Sequence, residues 1–99
     1  MEKFTPSTPQ DLIDAIGREL GPSDYIQITQ QHINQFAEAT GDFQWIHVDE
    51  ERAAKESPFK STIAHGYLTV SLIPQLLFSV LDVQNCAMKV NYAVEKLRF

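Results

Sequence analysis

Gly66-Tyr67-Leu68-Thr69-Val70-Ser71-Leu72-Ile73-Pro74-Gln75-Leu76-Leu77-Phe78-Ser79-Val80-Leu81 is the stretch on which the fold turns. Its apolar residues Leu68, Val70, Leu72, Ile73, Leu76, Leu77, Val80 and Leu81 fall on nearly every face of a helix. That distribution predicts burial all round rather than a single surface stripe. A membrane span needs about 20 consecutive apolar residues, and this run is shorter and interrupted by Thr69, Ser71, Pro74, Gln75 and Ser79. The expectation is a core helix over Gly66 to Leu81, bent near Pro74, which removes a backbone donor. A helix without a polar face has to be wrapped by something wide, and a sheet is the element that can do so.

Working outward, Thr8 is placed to cap a helix that Pro9 opens, with Leu12, Ile13, Ile16 and Leu20 as its apolar stripe and Gly21-Pro22 as its end. Tyr25-Ile26-Gln27-Ile28 alternates like a short strand. Thr29 then caps a second helix, in which Ile33, Phe36, Ala37 and Thr40 recur at helical spacing and Gly41 terminates. Asp42 to Val48 reads as irregular, and Asp49 caps a short helix through Glu50 to Lys55 that Pro58 closes. On the far side of the long helix, Cys86 to Phe99 reads as one long strand with Met88, Val90, Tyr92 and Val94 on one face. One strand does not cover such a helix. The expectation is therefore a single domain over residues 1–99 that is cut short at its C-terminal side, its remaining sheet coming from further sequence or another chain.

Composition narrows the function classes. With 99 residues, 43% of them hydrophobic and 21% charged, the chain is ordinary for a globular domain. A domain of this size hides only about 60–65% of its unfolded surface, so a partner is expected to contribute to its stability. Eight basic against thirteen acidic residues give a net charge of −5. No basic stripe is present to neutralise a phosphate backbone, so nucleic acid is not an expected partner. The single cysteine, Cys86, forms no internal disulfide, and the first residues lack the apolar core of a secretory signal. A cytoplasmic location follows as an expectation. Cys86 itself, set in an apolar run, reads as a small buried hydrophobe.

Two segments can carry chemistry. In Thr40-Gly41-Asp42-Phe43-Gln44-Trp45-Ile46-His47-Val48-Asp49 a carboxylate and an imidazole lie five residues apart. On a regular helix that offset points them apart, so they converge only if the segment between them is not one. The bland alternative is a capping aspartate and a histidine satisfied by a backbone carbonyl, and spacing does not decide between the two. In Ile63-Ala64-His65-Gly66-Tyr67-Leu68-Thr69-Val70-Ser71, Gly66 opens the long helix and leaves its first N–H groups available to a developing negative charge. Close packing explains a glycine there equally well. His32, His47 and His65 match no metal-ligand spacing and no cysteine cluster accompanies them, so no metal is expected.

Together, Gly41-Asp42, Ile46-His47, Ala53 five residues beyond Val48, Phe59, Ile63, Ala64-His65-Gly66 and Ser71 resemble the hydratase 2 signature of the MaoC-like dehydratases. With Gln44-Trp45 where many members carry Asn-Pro, and Asn91-Tyr92 near the end, the chain is most similar to the nodulation protein N-like branch. The resemblance implies an α+β hot-dog fold: a long central helix wrapped by an antiparallel sheet, dimerised through that sheet into a homodimer, incomplete here for want of later strands. It also implies (R)-specific hydration of trans-2-enoyl-CoA to (R)-3-hydroxyacyl-CoA, or the reverse dehydration, with Asp42 and His47 holding the water. Gly66 would bind the thioester oxygen, Ser71 would face the site, and His65 would open the helix without handling a proton. Tyr67 and Phe43 are candidates to line the acyl channel. No cofactor is expected, the CoA thioester being the substrate. The competing expectation is a non-catalytic hot-dog module that binds an acyl thioester or a partner chain.

Overall fold

Side-chain caps from Thr8, Thr29 and Asp49 start three helices of this chain, whose computed structural model describes residues 2–99. The Thr8 hydroxyl accepts the Asp11 N–H at 3.1 Å and the Asp11 carboxylate accepts the Thr8 N–H at 3.2 Å. This reciprocal capping box opens α1, Pro9–Asp14. The helix is shorter than its apolar stripe predicts. Ala15, Ile16 and Arg18 donate three residues back rather than four, and Gly17 turns with φ +89°. Ile16, in the expected stripe, is 82% exposed.

Backbone packing divides the chain into two units, one of Met1–Asp24 with Pro74–Phe99 and the other of Tyr25–Ile73. The second holds every candidate site residue. Thr29 caps α2, Gln30–Thr40, and Gly41 ends it in the left-handed conformation at φ +81°, which glycine adopts without steric cost. Asp42–Val48, expected to be irregular, contains a single helical turn, α3 (Trp45–Val48). Asp49 accepts the Arg52 N–H at 3.0 Å and opens α4, Glu50–Glu56. That helix stops where expected: Ser57, preceding Pro58, is extended at ψ 137°. α3 packs against both α2 and α4. Ala37 and Ala53, both fully buried, have side chains small enough to permit that approach, and Ile33 and Leu68 complete the apolar core of the unit.

The long helix is interrupted. It forms α5, Gly66–Ser71, and α6, Ile73–Val80, with Leu72 between them. Pro74 has no N–H with which to bond the Val70 carbonyl, so the helical ladder cannot run through this point. The break thus falls two residues before Pro74. Burial is also less complete than the sequence predicts: Leu68 and Val80 are buried, whereas Ile73 is 53% and Leu77 42% exposed.

In the first unit, the N-terminal segment runs alongside the end of α6. Phe4 and Leu81 form a parallel bridge. Three backbone bonds support it, Phe4 N–H to Val80 O at 2.9 Å, Asp82 N–H to Phe4 O at 2.9 Å and Gln84 N–H to Pro6 O at 2.7 Å. Among the described residues this bridge is the one piece of β pairing. Tyr25–Ile28 and the segment 86–99 take no strand ladder, and every residue from 84 to 99 is exposed. A strand exists through hydrogen bonds to a neighbour, and neither segment has one here. Cys86 shares that exposure, which corrects its expected place in the core. No helix among the described residues is long and apolar enough to cross a membrane.

Candidate active site

Gly41 ends α2 and α3 starts again at Trp45, so the chain makes a corner between Asp42 and His47. The interruption lets two residues five apart converge, as the sequence requires. At the corner, an Asp42 carboxylate oxygen accepts the Gln44 N–H at 3.3 Å, an Asx turn that orients the half-buried acid. His47 lies in the single turn of α3 and is 9% exposed.

A second segment clasps the first. The Ile63 N–H donates to Ile46 O at 3.0 Å, and the His47 ring donates from Nδ1 to Ile63 O at 2.9 Å. Because a carbonyl only accepts, Nδ1 must carry the hydrogen. In the neutral ring Nε2 is then the basic nitrogen. Two residues further on, His65 donates from Nε2 to the Asp42 carbonyl at 2.9 Å. Gln30, from the first turn of α2, completes the clasp. Its amide donates to His47 O at 2.7 Å and accepts the Thr62 hydroxyl at 2.6 Å.

The result is a compact group. One ligand-capable atom from each of Asp42, His47 and His65 lies within 4.8 Å of the others. The two imidazoles stack with centroids 3.9 Å apart and planes 23° apart, and Phe36 lies against His65 at 4.9 Å. His65 is 2% exposed, and its Nδ1 has no hydrogen-bond partner. Sequence reasoning placed Asp42 and His47 together but left His65 as the residue that merely opens α5. Its involvement follows from a contact between segments 23 residues apart, which local spacing does not encode.

Both halves of the bland alternative are also present, since Asp42 caps a turn and His47 is satisfied by a carbonyl. They turn out to be compatible with a reactive pair, because each uses only one face of its residue. Spacing gave no reason to expect an ion here, yet the three side chains could reach a common one. An imidazole binds a metal along a lone pair in its ring plane, at about 2.0–2.1 Å for zinc. Two nearly parallel stacked planes do not meet at such a point, so ion binding would require a ring to rotate.

The other expected residues lie next to these in the chain or along α5. His65 is the N-cap of α5, its carbonyl accepting from Leu68 N at 3.1 Å and Thr69 N at 3.4 Å. Gly66 follows directly, and its N–H, at the first helical position, has no acceptor in the helix's own ladder. Ser71 ends α5, with its hydroxyl donating to Leu68 O at 2.6 Å. Phe43 and Tyr67 are 57% and 66% exposed. Trp45, at the start of α3, carries the Arg52 guanidinium 4.3 Å above its ring, and Arg52 is ion-paired with Glu56.

The structure thus brings a carboxylate and two imidazoles together, with Gly66 and the start of α5 directly following one of them in the chain. The MaoC like domain matches residues 11–99, and the chain belongs to that family. It is 49% identical over 89 residues to 3-hydroxyacyl-thioester dehydratase Z of Mycobacterium tuberculosis, covering 90% of this chain and 58% of that protein. It is 48% identical over 90 residues to nodulation protein N of Rhizobium leguminosarum bv. viciae, covering 90% and 56%. Among solved structures, monoamine oxidase regulatory protein from Archaeoglobus fulgius is similar, with a TM-score of 0.54 and 26% identity over 83% of this chain and 54% of that one. The chain thus spans little more than half the length of the relatives it matches.

Proposed function

We propose that the protein hydrates trans-2-enoyl-CoA thioesters to (R)-3-hydroxyacyl-CoA, or runs the reverse dehydration, with Asp42 and His47 as the pair that holds and activates water. The observation that carries this reading is the convergence of the half-buried Asp42 and the buried His47, with His47 Nδ1 committed to Ile63 O so that Nε2 is left for proton transfer. The name of the mycobacterial relative supports the thioester class.

The chemistry balances with these groups alone. The water oxygen bonds to C3 as the C2=C3 π electrons move toward the thioester carbonyl. The pair takes one proton from the water, and one proton is delivered to C2 as the carbonyl re-forms. Hydroxyl and hydrogen are added and no electrons are exchanged, so the step calls for no redox cofactor. A carboxylate and an imidazole side by side can act as base and acid on one face of the substrate. In this reading the Gly66 N–H, left without an acceptor in its helix, donates to the enolate-like oxygen, aided by the helix dipole.

The rest of the reading follows the family: a hot-dog domain whose antiparallel sheet wraps α5 and α6 and pairs two copies into a homodimer. The exposed faces of Ile73, Leu77, Met88, Val90 and Tyr92 supply apolar surface for such a cover. An exposed free thiol at Cys86 suits a reducing, cytoplasmic setting.

Chiral analysis of the product tests the reading. Incubation of the purified protein with trans-2-enoyl-CoA of several chain lengths is expected to yield the (R) alcohol. The (S) enantiomer would remove the stereochemical assignment, and no turnover at any length would leave a binding module in its place.

A further inference from the structure

We infer that His65 is a positioning residue that holds Asp42 and His47 in register with the N-terminus of α5; the inference rests on the hydratase reading above. Three contacts made by one side chain and its backbone carry it. The ring N–H at Nε2 grips the Asp42 carbonyl at 2.9 Å, fixing the corner from which the carboxylate projects. The flat of the ring lies on His47 at 3.9 Å, so His47 cannot swing about its Nδ1 hydrogen bond without displacing it. The backbone carbonyl of the same residue receives Leu68 N and Thr69 N, which anchors the first turn of α5 and the Gly66 N–H beside it. Acid, imidazole and oxyanion donor are therefore all referred to one residue.

The unpartnered Nδ1 separates this from a role in folding. A ring 2% exposed that leaves a polar atom without a hydrogen bond is a poor choice for stability, and with Phe36 already against it an apolar ring would fill the space without that defect. What phenylalanine could not supply is the N–H on the Asp42 carbonyl. Departures of this kind from local stability are expected at functional positions.

The experiment compares His65→Phe, His65→Gln and His65→Ala in the purified protein. Phenylalanine keeps the stacked ring and loses the donor, glutamine keeps an N–H donor of similar reach and loses the flat ring, and alanine loses both. For His65→Ala and His65→Phe, kcat is expected to fall about 10- to 100-fold with KM changed by less than about 3-fold, the pattern of misplaced rather than missing groups. His65→Gln should recover part of the loss. The pH profile of kcat should move in His65→Ala, because the groups that exchange protons with substrate have been rearranged, and the His47 ring ¹⁵N resonances should move with it. A purely structural role would lower the melting temperature and the folded fraction while leaving the pH profile of the folded enzyme and those resonances in place. Native kcat in folded His65→Phe, or an unmoved pH profile in His65→Ala, overturns the inference alone. Absence of turnover in the unsubstituted protein overturns the hydratase reading and this inference with it.

Discussion

The Gln30 side-chain amide donates to the His47 carbonyl at 2.7 Å, so the helix that leads into the site also fixes the backbone on which the imidazole stands. Its second N–H goes to Asn34 at 2.9 Å and its oxygen takes the Thr62 hydroxyl at 2.6 Å, so both donors and one acceptor site are in use. Removing it leaves the half-buried His47 carbonyl and Thr62 hydroxyl without these partners. Gln30→Ala is expected to cost about 1–3 kcal/mol by denaturant titration and to lower kcat. Gln30→Glu should be at least as damaging, because it sets a carboxylate against a carbonyl that needs a donor. Native stability in both variants would show that the clasp holds nothing.

The cap of α2 uses an unusual partner. The Thr29 N–H donates to His32 Nδ1 at 3.0 Å, where a glutamate or glutamine would ordinarily complete the box, and the first turn contains no acidic residue. His32→Glu supplies both the reciprocal acceptor and a negative charge at the positive end of the helix. It is expected to raise stability by about 0.3–1 kcal/mol, whereas Thr29→Ala should lower it by about 0.5–2 kcal/mol. Melting curves of the two variants at neutral pH should move in opposite directions.

Acid sensitivity has one identifiable source at α1. The Ser7 N–H, 3.0 Å from the Asp11 carboxylate, holds that carboxyl below its ordinary value of 3.8, with the Ser7 hydroxyl and Thr8 adding to the effect. A carboxyl depressed in the folded state contributes stability that is present above its unfolded value and lost as pH falls through its folded value. The stability difference between the unsubstituted protein and Asp11→Asn should therefore be constant at neutral pH and shrink below about pH 4. Parallel acid limbs in the two titrations would remove this account.

How much of this was legible depended on the range of the signal. Thr8, Thr29, Gly41, Asp49 and Pro58 act on neighbours within one helical turn, and each starts or stops a helix as its chemistry predicts. The Asp42–His47 convergence was readable as a requirement, since Gly41 forbids the regular helix that would separate them. His65 was not, because its roles depend on a hydrogen bond to Asp42 and a stack on His47 that exist only after folding. The apolar run from Leu68 to Leu81 overstated burial, since Ile73 and Leu77 stay exposed, and misled about continuity, because Pro74 outweighs hydrophobicity in the backbone ladder. The alternation of Met88, Val90, Tyr92 and Val94 likewise specifies a strand face, yet a strand needs a neighbour that composition cannot supply.

The Asp42–His47 pair gives the prediction that separates an enzyme from a binding module. If the two together activate water, Asp42→Asn and His47→Ala should each lower kcat by roughly 10²- to 10⁴-fold, the range for loss of general acid–base catalysis. KM should change little, because the interaction removed is one made chiefly in the transition state. Asp42→Asn preserves the shape of the side chain and an oxygen for the Gln44 N–H, so its effect should come without a change in melting temperature. His47→Ala also removes the Nδ1 bond to Ile63 O, and His47→Gln, which keeps a polar side chain at the position, serves to separate that structural loss from the chemical one. The double variant should be scarcely worse than either single one, since groups acting as a unit are lost together, whereas independent contributions would multiply. Near-native kcat in both folded single variants, or a double variant whose loss equals the product of the two, would end the case for a catalytic pair.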